Sequence, residues 1–430
     1  MKDATNVVNQ FFLQQLLQVS QQRGIFTSEE VVSITGIKLL AKDKLIDQSM
    51  VERLSQHQLV RPLEQCIRID TPLDVQQIAQ EAERVLDTHP AIRPLSGWRV
   101  GMPTPSKLLK QMVLQPPAHC MLSIHEAGNP NVLPHFVTVA LLAMGLCYRL
   151  EQATDERMGP LVVASVFHDV GELYIDPAIL NSTEPMEDAH WQQLAQHPLL
   201  GQQALLSCVG VDPEIAAMVA QHHERHDGSG YPNGLLFHQL LSDGHLLAVA
   251  ETMAGIIQSG NRSVKSIYMA LAILPGEYAR PVIDLLARIS SQTDDDTNLP
   301  PFNPNELHHN LHQINRQLMH VTEAFEKVGE QSLSSAAIEL AWKYHDRFSA
   351  IQRAYYSTGL NVISYKSALH DSNNLPPDPI EYEAALLADE LRWRLRELSR
   401  QMAAKLDQIL PDERPFFEAL IGSVRHSPTE

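Results

Sequence analysis

Four cysteines are all that this 430-residue chain contains: Cys66, Cys120, Cys147 and Cys208. None belongs to a CxxC pair, which argues against a thiolate zinc site and gives no support to a disulfide framework. Positive charge is scarce as well, since 33 Lys and Arg face 51 Asp and Glu for a formal net charge of −18. A chain so acidic is poorly suited to a nucleic-acid polymer or an anionic membrane. A phosphate-bearing substrate would need local cations, and metal ions would serve. Uninterrupted apolar runs of about 18 residues are missing, so no segment reads as membrane-spanning. The N-terminal stretch MKDATNVVNQFFLQQLLQVSQQRG reads as an amphipathic helix, because glutamines break up what a signal peptide would keep apolar. A cytoplasmic location is the resulting expectation. Repeats and low-complexity tracts are missing too.

What remains is helical patterning. Residues 1–110 begin with that helix and pass through GIKLLAKDKLIDQSMVERLSQHQLVRPL, where a short strand or hairpin precedes a helix near Met50 to His57. A further helix follows in TPLDVQQIAQEAERVLDTHP, with Thr71 or Asp74 as its cap. Residues 119–290 alternate apolar-periodic helices with turns containing Gly and Pro. The acidic, Pro-rich SSQTDDDTNLPPFNP then reads as a linker. Long helices follow in 305–430, where Leu387, Leu391, Leu395, Leu398 and Met402 keep three- and four-residue spacing. Such a stripe is expected to pack against the preceding domain or across a homodimer.

Histidine is plentiful, with 20 in the chain. The segment GPLVVASVFHDVGE ends an apolar helix on His168 and Asp169, with Gly171 read as the stop. Burying an imidazole and a carboxylate is unfavourable unless something pairs with them. A core hydrogen bond between them would suffice, and so would a divalent cation. A second signal, AQHHERHDGSGYPNG, ends another apolar helix on His222 and His223. These neighbours sit about 100° apart on a helix and are suited to two adjacent metals. Gly228, Gly230 and Pro232 imply a tight loop whose N–H groups and Tyr231 hydroxyl face a phosphate. His135 after Pro134, and His197 before Pro198, add two helix-end histidines, with His190 as a substitute for His197.

This ordered set resembles the HD-GYP family of metal-dependent phosphodiesterases, within the HD superfamily, over roughly residues 119–290. The resemblance implies a mainly α protein: an HD-type helical bundle domain with a small N-terminal α+β region and a C-terminal helical extension. It implies two divalent transition metals, iron or manganese, and a water-dependent opening of cyclic di-GMP or a related cyclic dinucleotide. Carried onto this chain, it assigns His135, His168, Asp169, His197, His222 and His223 to the metals, with Asp169 bridging them as the catalytic carboxylate. Glu251, in HLLAVAETMAGI, stands where the family carries a ligand aspartate. Gly230, Tyr231 and Pro232 match the signature loop near the substrate phosphate. GIKLLAKDKLID also resembles segments upstream of such domains, which implies an accessory or regulatory module.

The match departs at four positions. Glu172 replaces the lysine of HDxGK, and Glu251 replaces aspartate. His245 stands where arginine is usual. Asn131 stands where members with three metals carry glutamate, and Pro134 reads as the first helical residue beyond it, so a third metal is not expected. Three readings stay open at this point: an active dinuclear phosphodiesterase, a metal-stabilised or empty domain serving as a signalling scaffold or ligand-binding module, and a hydrolase of another phosphate ester.

Overall fold

The computed structural model describes residues 8–97, 104–150, 154–184, 186–260, 263–293, 303–367 and 379–425. The chain divides into two compact units, one of Met1–Val264 with Tyr278–Thr293, the other of Lys265–Glu277 with Asp294–Glu430. Helix dominates both, and the few strands lie near the N-terminus.

In the first unit the leading helix is Gln10–Arg23, capped by the Asn9 side chain, which accepts from the N–H groups of Phe11 and Phe12. Its buried face is Phe12, Leu13, Leu16 and Val19, at helical spacing. Ile25–Thr27 pairs antiparallel with Ile67–Ile69, and Val31–Val32 pairs with Lys38–Leu40. Ile67 and Ile69 are buried while Arg68 is exposed, the two-residue alternation of a half-covered strand. The helix Val75–Thr88 starts from a capping box between Asp74 and Gln77, so Asp74 rather than Thr71 is the cap.

The apolar segments that follow fold as Pro116–Gly128, Val132–Arg149, Asp155–Phe167, His197–Ser207, Pro213–Gln221 and Ser242–Gln258. Two of them differ from the sequence reading. Val132–Arg149 is long and apolar enough to cross a membrane by length and composition, with a mean hydropathy of 1.5 over 18 residues. Its window is 72% buried inside the protein, however, as the central helix of a core. This helix begins at Val132, not Pro134, with Asn131 as its cap in αR backbone. Proline is tolerated there because a first-turn N–H has no intrahelical partner. Gly171 is likewise no helix stop. The helix ends at Phe167 with His168 as its C-cap, and Gly171 lies inside the 3-10 helix Val170–Tyr174. A Cβ at Gly171 would sit 1.9 Å from the His197 carbonyl oxygen and 2.6 Å from the Gly201 nitrogen. Glycine is required there for backbone-on-backbone packing.

The second unit holds the helices Pro304–Glu326, Ser335–Ser357, Leu360–Ser367, Pro379–Ala403 and Arg414–Arg425. Leu391, Leu395, Leu398 and Met402 are buried in a core shared with Leu311, Leu318, Phe348, Tyr355 and Phe417, and Leu387 is packed against it. The stripe is therefore covered within the unit itself, which removes the reason to seek a second copy for it. Buried Arg394 satisfies its charge on Glu277 at 2.7 Å and Glu390 at 2.8 Å. Residues 294–302 and 368–378, which carry most of SSQTDDDTNLPPFNP and HDSNNLPPDP, lie outside the described residues.

Candidate metal centre

Helix ends converge on one place in the first unit. His168 and Asp169 leave the end of Asp155–Phe167, His222 and His223 leave the end of Pro213–Gln221, and His197 begins His197–Ser207. His135 comes from the first turns of Val132–Arg149, and Glu251 from the middle of Ser242–Gln258. Their donor atoms form two groups: Asp169, His197, His222 and His223, and beside it His135, His168 and Glu251, with all ligand atoms of a group within 4.8 Å of one another.

Asp169 faces both groups. Its Oδ2 lies 3.0 Å from His168 Nε2 and 3.5 Å from His135 Nε2, while its Oδ1 lies 3.3 Å from His197 Nε2 and 3.4 Å from His222 Nε2. His222 and His223 belong to the same group rather than one to each, which corrects the expectation from their angular spacing. His190 is exposed and outside both groups. Asn131 is exposed too, although its αR backbone puts it four residues before His135 on one helical face.

Three imidazoles are oriented by the same device. Nδ1 of His168 bonds the Ser165 carbonyl at 2.7 Å, that of His197 the Leu194 carbonyl at 2.7 Å, and that of His222 the Val219 carbonyl at 2.6 Å. Each Nδ1 must donate, because a carbonyl only accepts, so the neutral ring turns the lone pair of Nε2 inward. Yet His197 Nε2 lies 3.0 Å from His222 Nε2. Facing lone pairs repel unless a proton or cation lies between them. Glu251 Oε2 is buried without a hydrogen bond, 3.1 Å and 3.2 Å from the Nε2 atoms of His135 and His168. A donor set of imidazoles and carboxylates with orphaned, inward-facing lone pairs fits borderline divalent transition metals.

The electrostatics agree. Burial opposes ionisation throughout, but Glu251 and then Asp169 raise the His135 imidazole to about 10. Against the same burial, Asp169 and Glu251 hold His168 well above its ordinary value. Both carboxylates are held well below the usual range despite burial, by His168 and His135 respectively. His223 is pushed well down by burial and the neighbouring imidazoles, so it is neutral at physiological pH.

The glycine-rich loop does something the sequence did not indicate. The N–H groups of Asn233 and Leu235 donate to the buried Glu224 carboxylate at 2.8 Å and 2.9 Å, and Tyr231 N–H donates to the His223 carbonyl. Those donors are committed inside the protein rather than turned to a phosphate. Gly230 packs against Glu224, where a Cβ would lie 2.4 Å from Glu224 Cα. The Tyr231 ring stacks on His223 at 4.6 Å and meets Trp191 edge-on at 4.7 Å. Glu224 was missed because a carboxylate beside two histidines carries no separate signal. Gln258, whose amide meets His135 Nδ1 at 3.0 Å, was missed because a glutamine at a helix end carries no signal of its own.

The two cation positions of the family are not cationic here. Glu172 lies outside both groups and meets buried His125 at 3.3 Å. His245 accepts from Ala279 N–H through Nε2, and burial pushes it down to about 4, so it is neutral.

Comparison with known proteins places this geometry. Residues 127–284 match the family model described as an HD domain, a class that implies divalent metal binding. Over these residues the chain resembles the HD-GYP family, with HDVGE as a divergent form of its motif. A cyclic di-GMP phosphodiesterase of Pseudomonas aeruginosa is 33% identical over 106 residues, 25% of each chain. A cyclic di-GMP phosphodiesterase response regulator of Xanthomonas campestris is 27% identical over 128 residues, 30% of this chain and 33% of that one. A 3'3'-cGAMP-specific phosphodiesterase of Vibrio cholerae is 26% identical over 152 residues, 35% of this chain and 33% of that one. The matches thus span about a quarter to a third of the length of these relatives. A solved HDG"Y"P protein from Bdellovibrio bacteriovorus covers 64% of this chain and 98% of its own at 19% identity, with a TM-score of 0.35.

Proposed function

We propose that the chain is a metal-dependent phosphodiesterase that opens cyclic di-GMP or a related cyclic dinucleotide at a centre of two iron or manganese ions. The observation that carries this reading is Asp169, whose two carboxylate oxygens face separate donor groups. Asp169, His197, His222 and His223 would hold one cation, and His135, His168, Glu251 and again Asp169 the other. When bound, such a pair supplies Lewis acidity to a phosphodiester and activates a water for attack. The exposed Asn131, outside both groups, supports two metals rather than three.

The protein's own part is orientation. Backbone carbonyls fix three imidazoles in the tautomer that leaves Nε2 free, and such outer contacts set ligand direction and basicity. Tyr231, itself braced by Trp191, holds the His223 ring, and Glu224 holds the loop carrying Gly230, Tyr231 and Pro232, so this loop acts on the substrate site chiefly through His223. A second reading, a ligand-binding or scaffold module, is favoured by Glu172, an anion where the resemblance to the HD-GYP family implies a phosphate-facing lysine. The names of the relatives support the cyclic dinucleotide as substrate, and the net charge of −18 speaks against a polymer. The test is turnover of cyclic di-GMP and 3'3'-cGAMP by manganese-loaded protein, with chromatography of the products. Linear dinucleotide or mononucleotide product, absent in Asp169→Ala, supports the enzyme. Full metal loading without turnover of either compound supports the module.

A further inference from the structure

Among the described residues, the Asp169 side chain is met only by the imidazoles around it. Its carboxylate is aimed by the backbone of the turn it begins, with φ −96° and ψ 8° as the cap of Val170–Tyr174. One side of this turn is pinned by Gly171 against the His197 carbonyl. The other side is held from the N-terminal region. Gln15 Nε2 donates to the carbonyls of Glu172 and Leu173, at 3.2 Å each. Asn9, while its Oδ1 caps its own helix, donates through Nδ2 to the Tyr174 carbonyl at 3.2 Å. The Phe12 ring stacks on Tyr174 at 5.2 Å and 16°, and the Tyr174 hydroxyl donates to Glu64 at 2.7 Å. Three successive carbonyls at the end of a short 3-10 helix therefore take side-chain amides from one helix about 160 residues earlier, an order of separation that is costly to close and hence informative.

We propose that Gln15 and Asn9 are positioning residues for Asp169, which makes the helix Gln10–Arg23 a working part of the metal centre rather than a separate accessory. The proposal rests on the dinuclear reading above. Its physical content is that a bridging carboxylate tolerates less movement than a terminal ligand, because both of its oxygens must stay on target. Releasing the turn should therefore harm the coupling of the two cations as well as their affinity. Outer contacts of this kind typically alter metal affinity by about 10- to 100-fold.

The test uses full-length protein and Mn2+ alone. Gln15→Met keeps the reach of the side chain and removes both donors, and Gln14→Met is the control at an exposed position of the same helix. Gln15→Lys returns a donor. Mn2+ affinity is measured by calorimetry, coupling by the electron paramagnetic resonance spectrum, and folding by thermal melting in chelator. The expected result is affinity lowered by about tenfold or more in Gln15→Met, with the spin-coupled spectrum replaced by that of isolated ions. Gln14→Met should match wild type, and Gln15→Lys should recover part of the loss. If Gln15→Met melts early, Asn9→Ser serves instead, since serine still caps the helix but lacks the amide donor. Wild-type affinity and coupling in a folded Gln15→Met or Asn9→Ser protein would overturn the inference while leaving the dinuclear reading intact. A wild-type protein that binds no Mn2+ would remove the dinuclear reading, and the inference with it.

Discussion

Glu172 stands three positions beyond Asp169 and spends its carboxylate on the imidazole of His125. It lies outside both donor groups, and on the proposed function its charge would bear on the substrate phosphate rather than on the ligands. Exchanging an anion for a cation about 4 Å from a phosphate is worth about 4 kcal/mol per unit charge at an effective dielectric of 20, and solvent reduces it further. Glu172→Lys is accordingly expected to keep its metal content and to raise kcat/KM on cyclic di-GMP by roughly tenfold. Loss of metal in that variant would show that Glu172 is itself a ligand. His245 gives a separate prediction. Its Nε2 accepts from Ala279 N–H, its Nδ1 is buried without a partner, and burial followed by the charges of His226 and Arg225 lowers it to about 4. The unfolded chain takes up this proton near pH 6.5 and the folded one only near 4. Stability linked to His245 is therefore fully present above pH 6.5 and drains as pH falls toward 4, by roughly 3 kcal/mol in all. In urea unfolding across that range, His245→Gln, which keeps an acceptor for Ala279, should fall less steeply than wild type. Parallel curves would contradict the assignment.

At the scale of elements, the 3-10 helix Val170–Tyr174 joins ligand, neighbour and N-terminal helix. Gly171→Ala would drive a methyl into the His197 carbonyl, so the turn and the helix His197–Ser207 must separate. Strain of this kind costs about 3 kcal/mol, and because His197 is displaced, metal binding should weaken along with the melting temperature. Unchanged metal affinity in a destabilised Gly171→Ala protein would mean that the close packing is structural only. How legible these elements were follows from the range of the forces that make them. Apolar periodicity and helix-end histidines are local, so most helices of residues 119–290 and all seven candidate ligands stood out in the sequence. The partners of those ligands are set by long-range packing. Nothing local joins Gln15 to Glu172, His125 to Glu172, or Glu224 to the loop at Asn233, and nothing local shows that Gly171 is needed for its neighbour rather than for its helix.

For the whole molecule, the N-terminal region and most of the HD domain form one compact unit, and the C-terminal helices build a core of their own. The stripe of Leu391, Leu395 and Leu398 is read correctly as buried, but its partners are helices of the same unit. Sequence periodicity reports that a face is covered and is silent on what covers it. The central claim is that seven side chains from five helical segments make one dinuclear centre bridged by Asp169. Metal analysis of protein purified anaerobically with iron or manganese tests it most directly, with wild type, His168→Ala and Asp169→Ala compared side by side. The account predicts about two transition-metal equivalents per wild-type chain and their joint loss in both variants, since every ligand belongs to one cluster. Metal-free wild-type protein, or full metal retention in Asp169→Ala, would contradict it.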